Sequence, residues 1–206
     1  LMDENPFILP GLNLKSSSSN LIVYGGVKGS ISHAVRFRAD VNYTAVKNMH
    51  FFVIDTLTYL QNQFTSEYDE VDLITYHGQL SVQPSSAFQV SLDGKYFDYS
   101  MLDQKKPWHK PDFRIALDVL SQLGRKFALG AGIAVIGNRW VKSSLMPEGI
   151  EKIKPVTDLN LKLNYNYSKA FTVFADIYNI ADRSYLIWDQ YPSQRFNFMI
   201  GLTYKL

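Results

Sequence analysis

In residues 195–206 the side chains alternate in kind. Phe196, Phe198, Ile200, Leu202, Tyr204 and Leu206 fall on one face, and Arg195, Asn197, Met199, Gly201, Thr203 and Lys205 on the other. A period of two marks an extended strand, whose successive side chains point to opposite sides. The pattern recurs upstream. Leu159, Leu161, Leu163, Tyr165 and Tyr167 alternate with Asp158, Asn160, Lys162, Asn164 and Asn166, and Phe113, Ile115, Leu117 and Val119 with Arg114, Ala116 and Asp118. Phe88, Val90, Leu92, Gly94 and Tyr96 alternate with Gln89, Ser91, Asp93 and Lys95, and Val35, Phe37, Ala39, Val41 and Tyr43 with Arg36, Arg38, Asp40 and Asn42. Weaker strands at 21–29, 71–82, 127–136 and 171–178 bring the number to nine; 50–56 is either a tenth or the extended top of the second.

The connections decide between architectures. Short turns of Ser, Gly, Pro and Lys at 30–33, 83–87, 121–126 and 168–170 take turns with long links at 44–70, 100–111, 141–155 and 179–194. A soluble β-sandwich has no reason to keep every second connection short. An outer-membrane barrel has one, with tight periplasmic turns on one rim and longer extracellular loops on the other. If the last strand ends at the periplasm, all four short turns lie there. The expected class is therefore all-β, an antiparallel meander of nine or ten strands from a transmembrane outer-membrane β-barrel. Residues 1–19, with Pro10-Gly11 and the polar run 16–19, form a loop or linker before the first strand, and 20–206 form the barrel portion.

Composition fits without being decisive. Hydrophobic residues make up 46% and charged residues 19%, with 13 Tyr, 13 Phe and 3 Trp, a mixture suited to alternating β surfaces. The polar face carries both signs of charge, in Arg36, Asp40, Lys95, Arg114, Lys162 and Asp176 among others, which suits a lumen where neighbours pair. Tyr43, Tyr96, Tyr165, Tyr167 and Tyr204 stand near strand ends on the apolar face, where an aromatic girdle would meet lipid headgroups. Alternation alone also fits a soluble β-sandwich binding module. The formal charge is +2 with cations scattered, so the basic stripe of a nucleic-acid binder is missing. There is no cysteine, which removes disulfides and thiolate metal sites. No uncharged apolar run reaches the roughly 18 residues of a transmembrane helix, so a membrane role would use strands. Leu1-Met2-Asp3-Glu4-Asn5-Pro6 holds no signal core, so the chain is either soluble or begins partway through a longer, exported protein.

Candidate chemistry is sparse. His33, His50, His77 and His109 form no metal-ligand spacing, no Gly-x-Ser-x-Gly elbow exists, and Asp69-Glu70 reads as solvated loop. No catalytic, cofactor or metal residue is assigned, and an enzyme is not expected. The ligand candidates are aromatic residues in two long links: Trp108 and His109 beside Lys105 and Lys106, and Tyr185, Trp188 and Tyr191. Exposed rings there can stack on sugars or other flat solutes, and loop packing is the plainer alternative.

Residues 171–185, FTVFADIYNIADRSY, resemble the penultimate strand of TonB-dependent receptors and the Asn-Leu-Phe-Asp/Asn-x-x-Tyr pattern that follows it. Here the pattern reads Asn179-Ile180-Ala181-Asp182-Arg183-Ser184-Tyr185. Pro192-Ser193-Gln194-Arg195-Phe196 and Gly201-Leu202-Thr203-Tyr204 are similar to that family's Pro-Gly-Arg-x-Phe and Gly-Leu-x-Tyr ending, with Gln194 where Gly is usual and Leu206 in place of a terminal aromatic. The stretch Tyr24-Gly25-Gly26-Val27-Lys28-Gly29-Ser30, with Tyr43 and Phe51-Phe52, resembles barrels of the Bacteroidetes type. The resemblance implies a ligand-gated importer in the bacterial outer membrane. Such an importer has a closed barrel of about twenty strands and an N-terminal plug coupled to an inner-membrane energy transducer. The chain would be its C-terminal part, with outer-membrane lipid, a small-molecule or glycan solute, and the absent plug and barrel half as partners. A small self-contained barrel with a structural or adhesive role is the second possibility.

Overall fold

The structure is a computed structural model that describes residue 12 and residues 14–55, 63–143 and 149–205. Among these there are strands and no helix. In chain order they are β1 (Ser18–Ser30), β2 (Val35–Ile54), β3 (Phe64–Ser85), β4 (Phe88–Met101), β5 (Phe113–Leu123), β6 (Phe127–Ile136), β7 (Arg139–Lys142), β8 (Ile150–Ile153), β9 (Val156–Asn166), β10 (Phe171–Tyr178), β11 (Leu186–Trp188), β12 (Tyr191–Pro192) and β13 (Asn197–Tyr204). Nine of them make one antiparallel sheet in the order β1-β2-β3-β4-β5-β6-β9-β10-β13, and β7-β8 and β11-β12 are separate hairpins within two of the long links. The expected nine-strand meander is thus present. Residues 50–54 prolong β2 and add no tenth strand; Thr56 lies outside the described residues, as do Pro10-Gly11 and Leu206. The first strand starts at Ser18, two residues inside the expected linker.

The register turns the alternation of each strand into two continuous surfaces. Phe37, Leu80, Leu92, Leu117, Ile133 and Leu159 stand in one cross-strand row. Val41, Tyr76, Tyr96 and Phe113 form another, nearer the long links. On the opposite face Asp40, His77, Lys95 and Arg114 stand side by side. A one-residue slip of any strand would exchange the two faces, so the register is set by the pattern itself. Among the described residues nothing covers the apolar face: Leu80, Leu92, Ile115, Ile133, Leu161 and Leu163 are all exposed. An uncovered apolar surface of this extent marks an interface with another apolar phase or partner.

The strands differ in height. Eight residues of β10 or β13 approach the nine to eleven that cross a bilayer, whereas β2 and β3 have 20 and 22 and project well beyond the apolar band. At the foot of the projection a bulge shifts the β2–β3 register between Val46 and Met49, with Asn48 at φ 53°, a left-handed conformation asparagine tolerates. The buried core lies on this side of the sheet. Phe51, Val53 and Val71 pack around Trp108, with Leu73, Tyr99, Met101, Trp140 and Ile150 against them. The inner face, polar below, becomes apolar at the level of the long links.

Candidate functional site

The long-link rim is built around the end of β2 and the start of β3, which are gripped on both faces. Alternation puts Phe51 and Val53 on one side, with Trp108, and Phe52 on the other, paired through the register with the face of Phe64. On that second side the ring of Trp188 lies 6.2 Å from Phe52 and 5.9 Å from Phe64, and Tyr191 lies 5.3 Å from Phe64. His109 completes the group, 5.0 Å from Trp188 and 5.7 Å from Phe64. Links from two distant parts of the sequence therefore close over one strand pair.

Each link is held by polar contacts that fix its path. Asp69, buried in β3, accepts hydrogen bonds from the backbone N–H groups of Asp103 (3.0 Å) and Gln104 (2.8 Å), which ties down the start of the link carrying Trp108. Gln104 in turn accepts the Trp108 indole N–H at 2.9 Å. The link 179–194 is anchored at its first residue. Asn179, at φ 48°, receives the Arg183 N–H on Oδ1 and donates through Nδ2 to the carbonyls of Arg183 (2.7 Å) and Gln194 (3.1 Å). Asp182 accepts Arg195 Nη2 at 2.6 Å and the Phe196 N–H at 3.1 Å. The motif residues Asn179, Asp182 and Arg195 are thus a clasp that bends the chain back from β10 into β13. Asn179→Ala, which removes a buried side chain and the three hydrogen bonds it makes to Arg183 and Gln194, should cost about 1–3 kcal/mol. Faster protease cleavage within 180–196, with β1–β6 unaffected, would register the local loosening.

His109 shows how burial sets the chemistry here. Its Nδ1–H donates to the Phe52 carbonyl at 2.8 Å and its Nε2 accepts the Asp189 N–H at 3.2 Å, an arrangement that only the neutral ring satisfies. Burial disfavours the imidazolium and pushes the pKa from 6.5 down to about 4. Between those values the unfolded rim takes up a proton that the folded ring refuses. Rim stability is therefore full above pH 6.5 and falls as the pH drops toward 4. Protease susceptibility of the links measured across this window should rise on acidification, and His109→Asn should flatten the profile.

The five aromatic candidates have different fates. Trp108 is 2% exposed and committed to the core, and His109 is 7% exposed. Trp188 and Tyr191 are half-buried, with part of each surface open, and Tyr185 donates its hydroxyl to Asp158 at 3.2 Å. The structure brings His109, Trp188 and Tyr191 into one group; Tyr185 stands apart with Asp158. Lys106 reaches the ring of Trp140 at 4.6 Å. Phe64 and Arg139 are the participants that sequence alone did not single out. Arg139 is 3% exposed; its Nη1 donates to the Ile187 carbonyl at 2.8 Å, while Nε and Nη2 have no partner among the described residues. Burial and neighbouring Arg114 lower its pKa from the ordinary value.

Below the rim the polar face is a charged wall. Asp40 accepts from Arg38, and His77 lies between Asp40 (3.0 Å) and Asp93 (2.8 Å), with Lys95 and Arg114 in the same row. Among the described residues no group of three acidic, histidine or cysteine side chains is arranged to hold a metal ion.

A polar face, an uncovered apolar face and a rim of knitted long links lie on one antiparallel meander, and its fold is that of the barrels of TonB-dependent receptors. Among solved structures, the chain is similar to the ferric-catecholate import receptor Fiu from K12 E. coli, with 15% identity and a TM-score of 0.66 over 98% of this chain and 31% of that one. It is also similar to the pyoverdine outer membrane receptor FpvA from Pseudomonas aeruginosa (14%, TM-score 0.68, 90% of this chain and 29% of that one). The siderophore receptor PirA from Acinetobacter baumannii gives 12% identity and a TM-score of 0.70 over 93% of this chain and 32% of that one. The chain thus spans about a third of the length of the structures it matches. No protein-family model and no curated protein matches it.

Proposed function

We propose that this chain is part of the wall and outer rim of a TonB-dependent importer in the bacterial outer membrane. In this reading the apolar face meets lipid, the Asp40–His77–Lys95–Arg114 face lines the lumen, and the long links face the exterior. Solute is met at the rim, by the open surfaces of Trp188 and Tyr191. The reading rests on fold likeness and on one geometric observation. β1 and β13 are the two edges of the sheet, and both run from the long-link rim toward the short-turn rim.

Joining those edges directly would pair them parallel, against the antiparallel pattern of every other seam. Two copies in the same membrane orientation meet the same obstacle, since β13 of one would again run alongside β1 of the other. Left open in lipid, each edge exposes a row of N–H and C=O groups at several kcal/mol per unpaired group. An odd number of further strands, entering beside β13 and ending beside β1, completes an all-antiparallel barrel. This favours a portion of a larger barrel over a small self-contained one. Folded into detergent by itself, the 206-residue chain should lack the heat-modifiable gel mobility of a closed barrel, and the full-length protein should show it. A compact, heat-sensitive band from this chain alone would overturn the reading in favour of a small barrel. Monomeric solubility without detergent would restore the β-sandwich.

A further inference from the structure

The glycines of the sheet differ in what surrounds them. A Cβ at Gly26 would come within 2.5 Å of Asp40 and at Gly201 within 2.3 Å of the Phe174 ring, and at Gly29, Gly130 and Gly132 it would meet a side chain at 3.1–3.2 Å. Those positions are small because the chain's own neighbours fill the space. At Gly25 and Gly78 an added Cβ would meet nothing within 4 Å, and at Gly94 only the Gly78 carbonyl at 3.9 Å. Glycine in a strand interior weakens the strand and marks a bulge, a bend, or the close approach of something else. The β3–β4 register is regular through these positions, with Gly78 directly opposite Gly94, so a bulge is not the reason.

These three glycines lie together. Gly78, paired with Ala39 and Gly94, lies on the apolar face in the row just below Tyr76 and Tyr96, and Gly25, paired with Val41, stands at the β1 end of the tyrosine row itself. They floor a groove of about 750 Å³, bounded by those two tyrosines, Val27, Phe113 and Ile115. Asp40, His77 and Lys95 also border it, but their side chains point to the opposite face and only their ladder-paired backbone contributes. The floor of the groove therefore offers neither charge nor an unpaired hydrogen-bonding group, and the only polar side-chain atoms beside it are the hydroxyls of Tyr76 and Tyr96 at its edge.

We propose that the groove is a binding site for a fatty acyl chain of a membrane lipid, seated in the leaflet nearer the long links. An occupant that asks for no polar partner and lies thin against bare backbone is a hydrocarbon chain. A second copy of the protein fits poorly. Ten apolar-face residues border the groove, whereas a specific protein interface uses about 20–30 a side. Tyr76 and Tyr96 also stand up at its edge and hold a flat partner sheet away. With Tyr76 and Tyr96 above it at girdle height, a lipid whose headgroup lies at that level drops its chain onto the glycines. The proposal rests on the membrane reading given above.

The test is photolabelling of the reconstituted full-length protein in phosphatidylcholine vesicles doped with a phosphatidylcholine carrying a mid-chain diazirine, with adducts mapped by mass spectrometry. Adducts should be severalfold enriched on peptides around 76–78 and 94–96 relative to those around Leu161 and Leu163, which are equally lipid-facing. The double variant Gly78→Leu with Gly94→Leu, which the open floor accommodates, should bring that enrichment down to the level of the control strand. Ala131→Leu, on the same face away from the groove, should leave it unchanged. Uniform labelling of all lipid-facing strands would overturn the acyl site while upholding the membrane reading. Protein–protein adducts at the glycines would overturn it in favour of a macromolecular occupant. Absence of labelling on every strand would remove both.

Discussion

Phe51→Ala should destabilise the long-link rim by about 3–5 kcal/mol, the range for emptying a fully buried aromatic site. Phe51 is 0% exposed and lies at the centre of the group formed by Val53, Val71 and Trp108. The cavity is poorly placed to collapse, because Trp108 is held from behind by its bond to Gln104 and Gln104 by Asp69. The loss should be concentrated in the rim. Hydrogen exchange of the long links should accelerate strongly, while β5, β6 and β9 keep their protection. Phe52→Ala removes a half-buried ring from the other side and should cost less. Equal protection of the links in wild type and Phe51→Ala would show that the two gripped faces are not one cooperative unit.

With the apolar face in lipid, as proposed, Leu161→Arg should cost about 2–4 kcal/mol of folding free energy in a bilayer, because it sets a cation against hydrocarbon near the middle of β9. Leu161 is flanked on that face by Ala131 and Ile177, neither of which can pair with a guanidinium. Lys162→Leu, one residue along and facing Gly130 and Asp176, should cost much less. Refolding of the full-length protein into vesicles, titrated with denaturant, measures both. Similar costs would mean that the two faces do not see different media and would withdraw the assignment of lipid to the apolar side.

The two predictions concern parts of the molecule that differ in how far the sequence discloses them. Leu161 and Lys162 are separated by one step of a period-two pattern, and which of them faces the apolar side could be read without a structure. The same holds for the number of strands in the main sheet. It also holds for the alternation of short and long connections, since turn chemistry is written in a few adjacent residues. The N-terminal boundary moved by two residues, to Ser18, because a serine run is compatible with an edge strand as well as with a linker. The motif at Asn179 and Asp182 was legible as a pattern. That it is a clasp, with Asn179 bonded to Gln194 and Asp182 to Arg195, was not.

The rim is where local reading stops. Trp108 and Trp188 look alike in the sequence, each an aromatic in a long polar link, yet one is sealed in a core and the other keeps part of its surface open. Phe64 and Arg139 stand in no pattern that would single them out; their places follow from the end of β2, the start of β3 and two links meeting. The sequence by itself determined the nine strands of the main sheet, their faces and their order of short and long connections, because each depends on neighbours within a few positions; 44–70 reads there as one long link, whereas 44–54 and 64–70 prolong β2 and β3. Tertiary structure alone decided which aromatics are buried, that β1 and β13 run the same way at opposite edges, and that three unrelated glycines share one floor. Those depend on contacts between residues far apart in the chain, which strand pairing brings together and local periodicity does not record.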